Sequence, residues 1–345
     1  MKTGIVKDWS YREHDMGAFH VETPQRIEVL YRMIEEDLPY SFEEIKPRPA
    51  SEEELERIHT RSYIESLKAT EGKERVILDP DTSTSARSYE VALLAAGGVL
   101  EALDEIIAGR IDNAFALVRP PGHHAESARA MGFCLFNNTA IGAAHLLHTH
   151  GCQKVLIVDW DLHHGNGTQN AFYQRNDVLY FSTHQYPHYP GSGHWRETGA
   201  GPGAGFTINV PLRAGKTDSD YLRIFQSLLR PVALSYRPDF WLVSAGFDAH
   251  EADPLGGMRL TGMGFAALTA ELLALAKETA GGRILFVLEG GYDLEGLRTG
   301  VREVLGQLTG EASPPSLAPE PSEATLEELR PVVEALKSHW PSISP

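Results

Sequence analysis

The sequence predicts an α/β fold in which helices cover both faces of a parallel sheet. Short β-rich apolar runs alternate with stretches whose apolar residues recur at helical spacing. The runs are almost continuously apolar, as strands covered on both faces require. The predicted strands are 114–118, 154–159, 178–183, 206–212, 240–245 and 283–289, and the predicted helices are 88–109, 137–151, 218–236 and 264–282. In open sheets of this kind ligands bind beyond the carboxyl ends of the strands, so the loops there are searched first for a site.

Composition narrows the class of protein further. The chain has 345 residues, of which 42% are hydrophobic, and a formal net charge of −16. This acidity argues against direct binding of nucleic acid, which relies on Lys and Arg, whereas it favours solubility and suits a cationic partner. Cys134 and Cys152 form neither a CxxC nor a zinc-finger spacing. Because the sequence has no signal-like start and no apolar window of membrane-spanning length, we expect a cytoplasmic protein without a membrane span.

One large domain is expected over residues 1–310. Over residues 311–325 proline, serine and glutamate replace the apolar periodicity, which predicts a Pro-rich linker. Residues 326–345 are too few for a second domain, so we expect a C-terminal helix and tail packed on the domain. The oligomeric state stays open, a homo-oligomer included.

The end of the second predicted strand and the loop after it place Asp159, Asp161 and His163 before two alternating glycines. Residues two apart in an extended segment project to the same side, so Asp161 and His163 can converge on one ion. Carboxylate and imidazole without thiolate suit zinc, manganese or iron, and a catalytic zinc has three protein ligands and one open position. Asp248, after another predicted strand, is the candidate third ligand. A turn or a cap is the alternative explanation for an isolated DxDxH.

Two histidines and a tyrosine at other strand ends are the next candidates. His123 and His124 follow an Arg-Pro-Pro-Gly turn, and histidine exchanges its proton near neutral pH. Tyr292 follows Gly290 and Gly291, whose backbone can approach a ligand closely, so its hydroxyl could face a developing oxyanion. Taken singly, structural histidines and a packed aromatic in a turn would explain these residues equally well.

Six motifs occur in an order that resembles the histone deacetylase family: RPPGHHA, GFCLFNN, DWDLHHGNG, HYPGSG, SAGFDAHEADPLGG and LEGGYDL. The opening HDMGAFHVETPQRI is similar to the HDxGxxHxExPxR segment of that family. The resemblance covers about residues 13 to 310 and implies the open arginase/deacetylase fold with eight parallel strands. LEGGY and the asparagine after HHG are typical of class II members, including bacterial deacetylase-like amidohydrolases.

The resemblance also implies a chemistry. The implied zinc ligands are Asp161, His163 and Asp248. Zinc would activate a water that attacks an acylated lysine or a related acylated primary amine, giving acetate and the free amine. The tandem residues His123 and His124 would flank that water, with His124 as the base, and the Tyr292 hydroxyl would stabilise the oxyanion.

The resemblance further implies a second cation and one departure from the class I pattern. Asp159 would accept a hydrogen bond from His123 and take part in a structural potassium site. The implied potassium ligands are side-chain oxygens of Asp159 and Ser182 and carbonyl oxygens of Asp161, His163 and Thr183. Asn166 stands where class I members have an aspartate, so His124 would lack a carboxylate partner. Its imidazolium form would be less favoured, which suits a general base.

The implied substrate channel is narrow and lined by aromatic rings. Its residues are Gly132, Phe133, Tyr189, Leu255 and Asp81. Leu255 stands where acetylpolyamine deacetylases can carry a glutamate that attracts a second ammonium group, so leucine favours acyl-lysine or a related amine. Asp81 corresponds to an acid at the channel rim of the family, and an ordinary turn aspartate is the alternative.

Three other functions stay open. The first is a deacetylase of polyamines or small metabolites, similar to acetoin-utilisation proteins. The second is a binuclear manganese hydrolase of the arginase type, which would carry DAHxD and DxDxxDP in place of the motifs present here. The third is a catalytically silent acyl-lysine-binding protein, although all the residues that catalysis would require are present.

Overall fold

A computed structural model of the chain describes residues 1–313, 315–318 and 320–345. In chain order its strands are β1 (Thr3–Val6), β2 (Glu43–Ile45), β3 (Val76–Asp79), β4 (Thr82–Thr84), β5 (Asn113–Ala116), β6 (Val155–Asp159), β7 (Val178–Gln185), β8 (Thr207–Leu212), β9 (Phe240–Ala245) and β10 (Ile284–Leu288). Eight of them form one sheet in the order β2-β1-β5-β10-β9-β6-β7-β8. Every pairing in this sheet is parallel, so the predicted fold class is confirmed.

The six predicted strands are β5 to β10, and their bounds differ from the prediction by a few residues at most. Three features of the sheets were not predicted: β1, β2 and the antiparallel hairpin of β3 and β4. β1 has four residues and β2 has three, two of them exposed glutamates. With two large apolar residues in β1 and one in β2, neither segment forms the apolar run that predicts a strand, and their neighbours in the sheet decide their conformation.

Helices lie on both faces of the sheet. They are α1 (Gln25–Arg32), α2 (Glu52–Glu56), α3 (Arg61–Lys68), α4 (Ser88–Ile107), α5 (Asn138–His148), α6 (Asn166–Phe172), α7 (Asp218–Ile224), α8 (Arg230–Tyr236), α9 (Gly262–Ala280), α10 (Leu294–Thr309) and α11 (Glu323–Leu336). A π-helical turn, Phe225–Leu229, joins α7 to α8 and completes the helix predicted over 218–236. In the part of the chain that the structure describes, no helix is both long and apolar enough to cross a membrane.

Side-chain caps start two of these helices immediately after loops of interest. The Asn137 side chain accepts from the Ala140 N–H at the start of α5, over 2.9 Å. The Asp293 side chain accepts from the Gly296 N–H at the start of α10, over 2.7 Å. Each cap satisfies a backbone donor that the first helical turn leaves without a partner. The caps therefore fix where the preceding loops end.

The C-terminal helix α11 packs on the body beside β8. Leu329, Val332 and Leu336 are buried on its inner face. The Thr325 hydroxyl donates to Asp220 over 2.7 Å, and the Trp340 indole donates to the Gly205 carbonyl over 2.7 Å. Pro314 and Pro319 of the predicted linker lie outside the described residues, and the division into domain, linker and tail stays a prediction.

The strand order determines where a site can form. The chain passes from β5 to β6 and leaves two places in the sheet, which β9 and β10 fill later. The four central neighbours β5, β10, β9 and β6 are therefore separated in sequence but adjacent in space. Their carboxyl ends open at one edge of the sheet, where a crevice for ligands is expected.

Candidate active site

Loops after the four central strands bring the predicted site residues together. The loop after β5 carries His123 and His124, that after β6 carries Asp161 and His163, that after β9 carries Asp248, and that after β10 carries Tyr292. The histidines and both aspartates are buried. Residues up to 169 positions apart thus meet at one edge of the sheet, as the strand order requires.

Asp161, His163 and Asp248 converge through one potential ligand atom each, and these atoms lie within 4.8 Å of one another. His163 Nδ1 is 3.3 Å from Asp161 Oδ1 and 2.9 Å from Asp248 Oδ2. The other oxygen of each carboxylate accepts from a backbone N–H: Asp161 Oδ2 from Gly290, and Asp248 Oδ1 from Leu162, both over 2.8 Å. Backbone donors therefore hold both carboxylates with one oxygen turned towards His163.

The chemistry of this triad fits a zinc ion. Two carboxylates and one imidazole, with no thiolate, form a donor set typical of zinc, with room for a further ligand. Burial opposes the charge on His163, but hydrogen bonds to Asp161 and Asp248 outweigh it and raise its pKa to about 10. Burial, together with the charge of Asp161, raises the pKa of Asp248 to about 7. Two buried carboxylates this close repel each other, and a cation between them would relieve the repulsion.

A second group of potential ligands, Asp104, His145 and His150, lies away from this crevice. Both histidines direct Nε2 to the same Asp104 oxygen, over 2.8 and 2.6 Å. Arg57 Nη1 lies 3.2 Å from His145 Nδ1, and because a guanidinium only donates, that Nδ1 is an acceptor. The neutral His145 ring then carries its proton on Nε2 and has no lone pair there for a cation. We interpret this group as a hydrogen-bonded link between α4 and the end of α5.

The tandem histidines have different partners. His123 Nδ1 is 3.1 Å from Asp159 Oδ2, and His124 Nδ1 is 2.8 Å from Asn166 Oδ1. Burial opposes charge on His123, but the charges of Asp161 and Asp159 outweigh it and raise its pKa well above the ordinary value. Burial and the neighbouring His123 lower the pKa of His124 well below the ordinary value. The structure thus brings Asn166 into contact with His124, the histidine with which the family resemblance pairs it.

Tyr292 contributes its ring to the wall of the crevice. Its backbone N–H donates to Asp253 Oδ2 over 2.6 Å, and the Arg26 guanidinium lies 5.1 Å from its ring centroid. Arg26 is itself held because it donates to the Gly291 carbonyl over 2.7 Å. Burial raises the pKa of Tyr292 well above the ordinary value, so the hydroxyl keeps its proton and can act as a donor.

A cavity of about 230 Å³ connects these groups to the surface. The described residues that line it are Asp81, His124, Gly132, Phe133, His163, His188, Tyr189, Leu255 and Tyr292. All five predicted channel residues are among them. The edge of the Phe133 ring faces the Tyr292 ring at 5.6 Å, and Tyr189 stands edge-on to His124 at 5.2 Å. The cavity is thus narrow and aromatic, and His163 of the triad forms part of its lining.

The turn that carries Phe133 is shaped by Gly132 and Asp81. A β-carbon on Gly132 would collide with the His124 ring, so glycine is required there. Phe133 has a φ of 69°, a conformation that residues with a side chain rarely adopt. Asp81 Oδ1 accepts from the Gly132 N–H over 3.1 Å, while Thr82 Oγ1 accepts from the Phe133 N–H over 2.9 Å. Asp81 therefore both lines the cavity and supports the turn.

The residues of the predicted potassium site lie on two neighbouring strands. Asp159 pairs with Ser182 in the register of β6 and β7, and Thr183 follows Ser182. Asp159 Oδ1 accepts from the Asp161 N–H over 3.2 Å, and the Ser182 hydroxyl lies 2.9 Å from His184 Nδ1. The structure therefore places these residues side by side, and potassium itself stays a prediction.

Sequence reasoning missed four residues that support the site: Arg26, Glu126, His188 and Glu289. The buried Glu289 carboxylate accepts from the N–H groups of Gly122 and His123, over 2.6 and 3.1 Å, and so holds the turn before the tandem histidines. Glu126 accepts from Asn166 Nδ2 over 2.5 Å. The sequence did offer a signal for these residues, because each lies within or beside one of the motifs. It did not indicate which groups they contact.

Comparisons with known proteins match this chain to one family. The histone deacetylase domain model matches residues 20–308. A probable deacetylase of Archaeoglobus fulgidus is 40% identical over 299 residues, which cover 86% of this chain and 83% of the relative. The polyamine deacetylase HDAC10 of Homo sapiens is 40% identical over 343 residues, which cover 94% of this chain but 50% of that protein. The crystal structure of the HDA15 HD domain superposes with a TM-score of 0.93 at 37% identity, covering 99% of this chain and 98% of that one.

The eight-stranded parallel sheet has the arginase/deacetylase fold, and the candidate site lies at the carboxyl edge of that sheet. The chain belongs to the histone deacetylase family, which confirms the resemblance drawn from the motifs. Its relatives place it among the deacetylases, which are hydrolases.

Proposed function

We propose that this protein is a zinc-dependent deacetylase that hydrolyses the acyl amide of lysine or of a related primary amine. One observation carries the proposal. Asp161, His163 and Asp248 converge, and His163 lines an aromatic cavity whose wall also contains His124 and Tyr292. Metal ligands, a proton acceptor and a hydroxyl donor thus surround the same small volume, as hydrolysis of an amide requires.

The triad would hold zinc through one oxygen each of Asp161 and Asp248 and through His163 Nδ1. When bound, zinc supplies a Lewis acid that polarises the amide carbonyl and lowers the pKa of water. The backbone N–H groups of Gly290 and Leu162 keep the two carboxylates oriented for this task. Such outer partners strengthen metal sites by limiting the motion of the ligands.

His124 would move the protons. Its Nδ1 contacts the neutral amide of Asn166, so the imidazolium form gains no direct carboxylate partner and the ring is available as a base. In the simplest scheme His124 accepts the proton of the attacking water and returns it to the departing amine nitrogen. His123, paired with Asp159, lies beside it with ring centroids 4.0 Å apart. The products are a carboxylate, acetate for an acetyl group, and the free amine.

Tyr292 would stabilise the charge that develops on the carbonyl oxygen. Its phenol keeps its proton because burial disfavours the phenolate, and the Arg26 guanidinium and the Phe133 ring hold its own ring from two sides. A hydroxyl positioned in this way gives a stronger hydrogen bond to the oxyanion than to the ground-state carbonyl, which lowers the barrier.

The cavity favours a linear acylated amine. Phe133 and Tyr189 leave a passage suited to a methylene chain, and Leu255 adds an apolar contact at the wall. An acyl-lysine side chain meets these requirements and presents no charge at the acylated end. A deacetylase of polyamines is the second candidate because the human relative carries that name, but Leu255 provides no charge to attract a second ammonium group. A structural potassium ion at Asp159 and Ser182, a cytoplasmic location and a homo-oligomeric assembly stay predictions.

A substrate panel tests the proposal. Zinc-loaded protein is incubated with acetyl-lysine peptides, acetylpolyamines and longer acyl-lysines, and kcat/KM is measured from acetate or acid release. We expect the highest kcat/KM for an acyl-lysine peptide, and removal of zinc by a chelator should abolish turnover. Two manganese ions per chain, or no release from any substrate by zinc-loaded protein, would contradict the proposal.

A further inference from the structure

We propose that Glu126 is a positioning residue for the reaction proposed above, on which this inference rests. Its carboxylate orients the side-chain amide of Asn166, and the oriented amide sets which ring nitrogen of His124 carries the proton. Glu126 is half-buried and is not among the described residues that line the cavity. It would therefore act on catalysis only through Asn166.

The surroundings of the Asn166 amide define its orientation. Asn166 Nδ2 donates to Glu126 Oε1 over 2.5 Å and to the His124 carbonyl over 3.3 Å, and it lies 3.4 Å from Met131 Sδ. All three neighbours are acceptors, so the amide nitrogen must face them. The hydrogen bond to the charged carboxylate is the strongest of the three. The amide oxygen is left to face His124 Nδ1, at 2.8 Å.

This orientation determines the tautomer of His124. A neutral imidazole has one N–H, and an acceptor opposite Nδ1 requires the proton to be there. Nε2 then keeps its lone pair and can accept a proton from water. If the amide turned over, its NH2 group would face Nδ1, the ring proton would move to Nε2, and His124 could not act as the base.

The arrangement also explains why an asparagine at this position needs a partner. A carboxylate at position 166 would accept from His124 in either orientation of its side chain. An amide has one accepting and one donating end, so a second group must select between the two orientations. Glu126 makes this selection, and the pair Glu126 and Asn166 replaces one aspartate without placing a full charge against His124.

Substitutions at Glu126 test this relation by replacing an acceptor with a donor. In the zinc-loaded protein with isotope-labelled histidine, nitrogen and carbon chemical shifts report the tautomer of His124. We expect Nδ1–H in the wild-type protein and Nε2–H in Glu126→Lys, where an ammonium group would face the amide. Loss of the base should lower kcat by about 10²-fold, at the low end of the range for proton-transfer groups, and leave KM unchanged. Glu126→Gln can present either an acceptor or a donor to the Asn166 amide, so it should lower kcat less than Glu126→Lys does.

A compensating pair separates positioning from general damage. Asn166→Asp alone brings a second carboxylate against Glu126 and should lower kcat, because like charges then share one contact. Combining Glu126→Lys with Asn166→Asp gives the introduced ammonium group a carboxylate partner and gives His124 an acceptor again, so Nδ1–H and most of kcat should return. Asn170→Ala, which removes the 2.9 and 3.0 Å contacts of an exposed amide to Glu126, should change neither tautomer nor kcat.

Two results would overturn the inference. The first is an unchanged His124 tautomer in Glu126→Lys, and the second is a double variant, Glu126→Lys with Asn166→Asp, whose kcat stays as low as that of Glu126→Lys alone. Zinc content and a thermal melt on every variant identify any protein that has not folded, and the double variant then carries the test. If the wild-type protein releases no acid from any substrate, the proposed function fails. The tautomer measurement still decides the role of Glu126 in that case, so the two failures are distinguishable.

Discussion

Asp161 and Asp248 each have one carboxylate oxygen that accepts from a backbone N–H outside the triad, that of Gly290 and that of Leu162 respectively. The other oxygen of each faces His163 Nδ1. Gly290 makes this possible, since a β-carbon at that position would collide with both carboxylates. The triad therefore depends on the loop after β10 as well as on its own three residues.

Asp248→Ala should abolish high-affinity zinc binding, because it removes one ligand and leaves the Leu162 N–H without its acceptor. Metal analysis after dialysis against low zinc measures the effect. Asp104→Asn is the matched control, since it alters the other group of potential ligands. We expect that control to retain one zinc per chain. Loss of zinc from Asp104→Asn but not from Asp248→Ala would show that the other group holds the ion.

Tyr292→Phe should keep zinc and lower kcat by about 10²- to 10³-fold, or roughly 3 to 4 kcal/mol of transition-state stabilisation. The hydroxyl is lost while the ring keeps its packing between Arg26 and Phe133. Steady-state kinetics with an acyl-lysine peptide measure the change. Tyr189→Phe removes the hydroxyl from the other tyrosine of the cavity and should leave kcat close to wild type. Equal turnover of Tyr292→Phe and wild type would remove Tyr292 from the mechanism.

At the scale of elements, the helices hold the loops that carry the site, and α11 closes the side of the body near β8. α11 begins with Ser322 as its cap and buries one apolar stripe, while its outer face stays exposed. The sequence predicted a packed helix here because the segment is too short for a second domain, but the partner surface is formed by residues more than 100 positions earlier. Packing therefore makes the largest contribution to the stability of this helix.

Leu329→Ala should destabilise the protein by about 2 to 5 kcal/mol, the usual cost of a cavity left by a buried leucine. Leu329 is fully buried on the inner face of α11. Urea unfolding at pH 7 measures the difference in the free energy of unfolding. Glu327→Ala lies on the outer face of the same helix and should change stability little. If Leu329→Ala matched that control, α11 would not be part of the cooperative core.

At the scale of the whole molecule, a buried ionic network joins the N-terminal segment to the site. Arg119 pairs with Glu22 through two nitrogens, and Arg26 donates to Glu22 over 2.9 Å. Arg26 also binds the carbonyls of Glu289 and Gly291, over 2.5 and 2.7 Å. Glu22 therefore connects the loop before the tandem histidines with the loop that carries Tyr292.

This network predicts a loss of stability in acid. Burial opposes ionisation of Glu22, but Arg119 and Arg26 outweigh it and lower its pKa from 4.5 to about 2. A lowered carboxyl pKa stabilises the folded state above the unfolded pKa and stops doing so as pH falls from 4.5 towards 2. Burial and Arg119 likewise lower the pKa of the nearby His14 from 6.5 to about 4, so stability already declines as pH falls through that interval.

Glu22→Gln should lower the free energy of unfolding at pH 7 by about 3 to 5 kcal/mol, because two buried guanidinium groups lose their anion. The difference in the free energy of unfolding between variant and wild type should decrease as pH falls towards 2, where the wild-type carboxylate is itself protonated. Chemical unfolding over a pH series measures both quantities. Glu53→Gln, on the surface, serves as the control and should follow the wild-type curve. A difference in the free energy of unfolding that stays constant with pH would contradict the role assigned to the Glu22 charge.

The sequence by itself determined the fold class and six strands of the sheet, and it predicted the three residues of the triad. These features depend on local patterns: continuous apolar runs, helical spacing, and ligand residues two apart at a strand end. The motifs then indicated the family and the positions of the candidate site residues along the chain. β1 and β2 were not predicted because they contain only two and one large apolar residues, too few to form an apolar run.

Only the tertiary structure decided which groups support the site. Asn166 reaches Glu126 across 40 positions, Glu289 reaches Gly122 across 167, and Arg26 reaches Gly291 across 265. No local pattern records such contacts, because they exist only after the strand order brings β5, β6 and β10 to one edge of the sheet. The residues proposed to perform the chemistry could be named one by one from the sequence, whereas the hydrogen bonds that orient them depend on the complete fold.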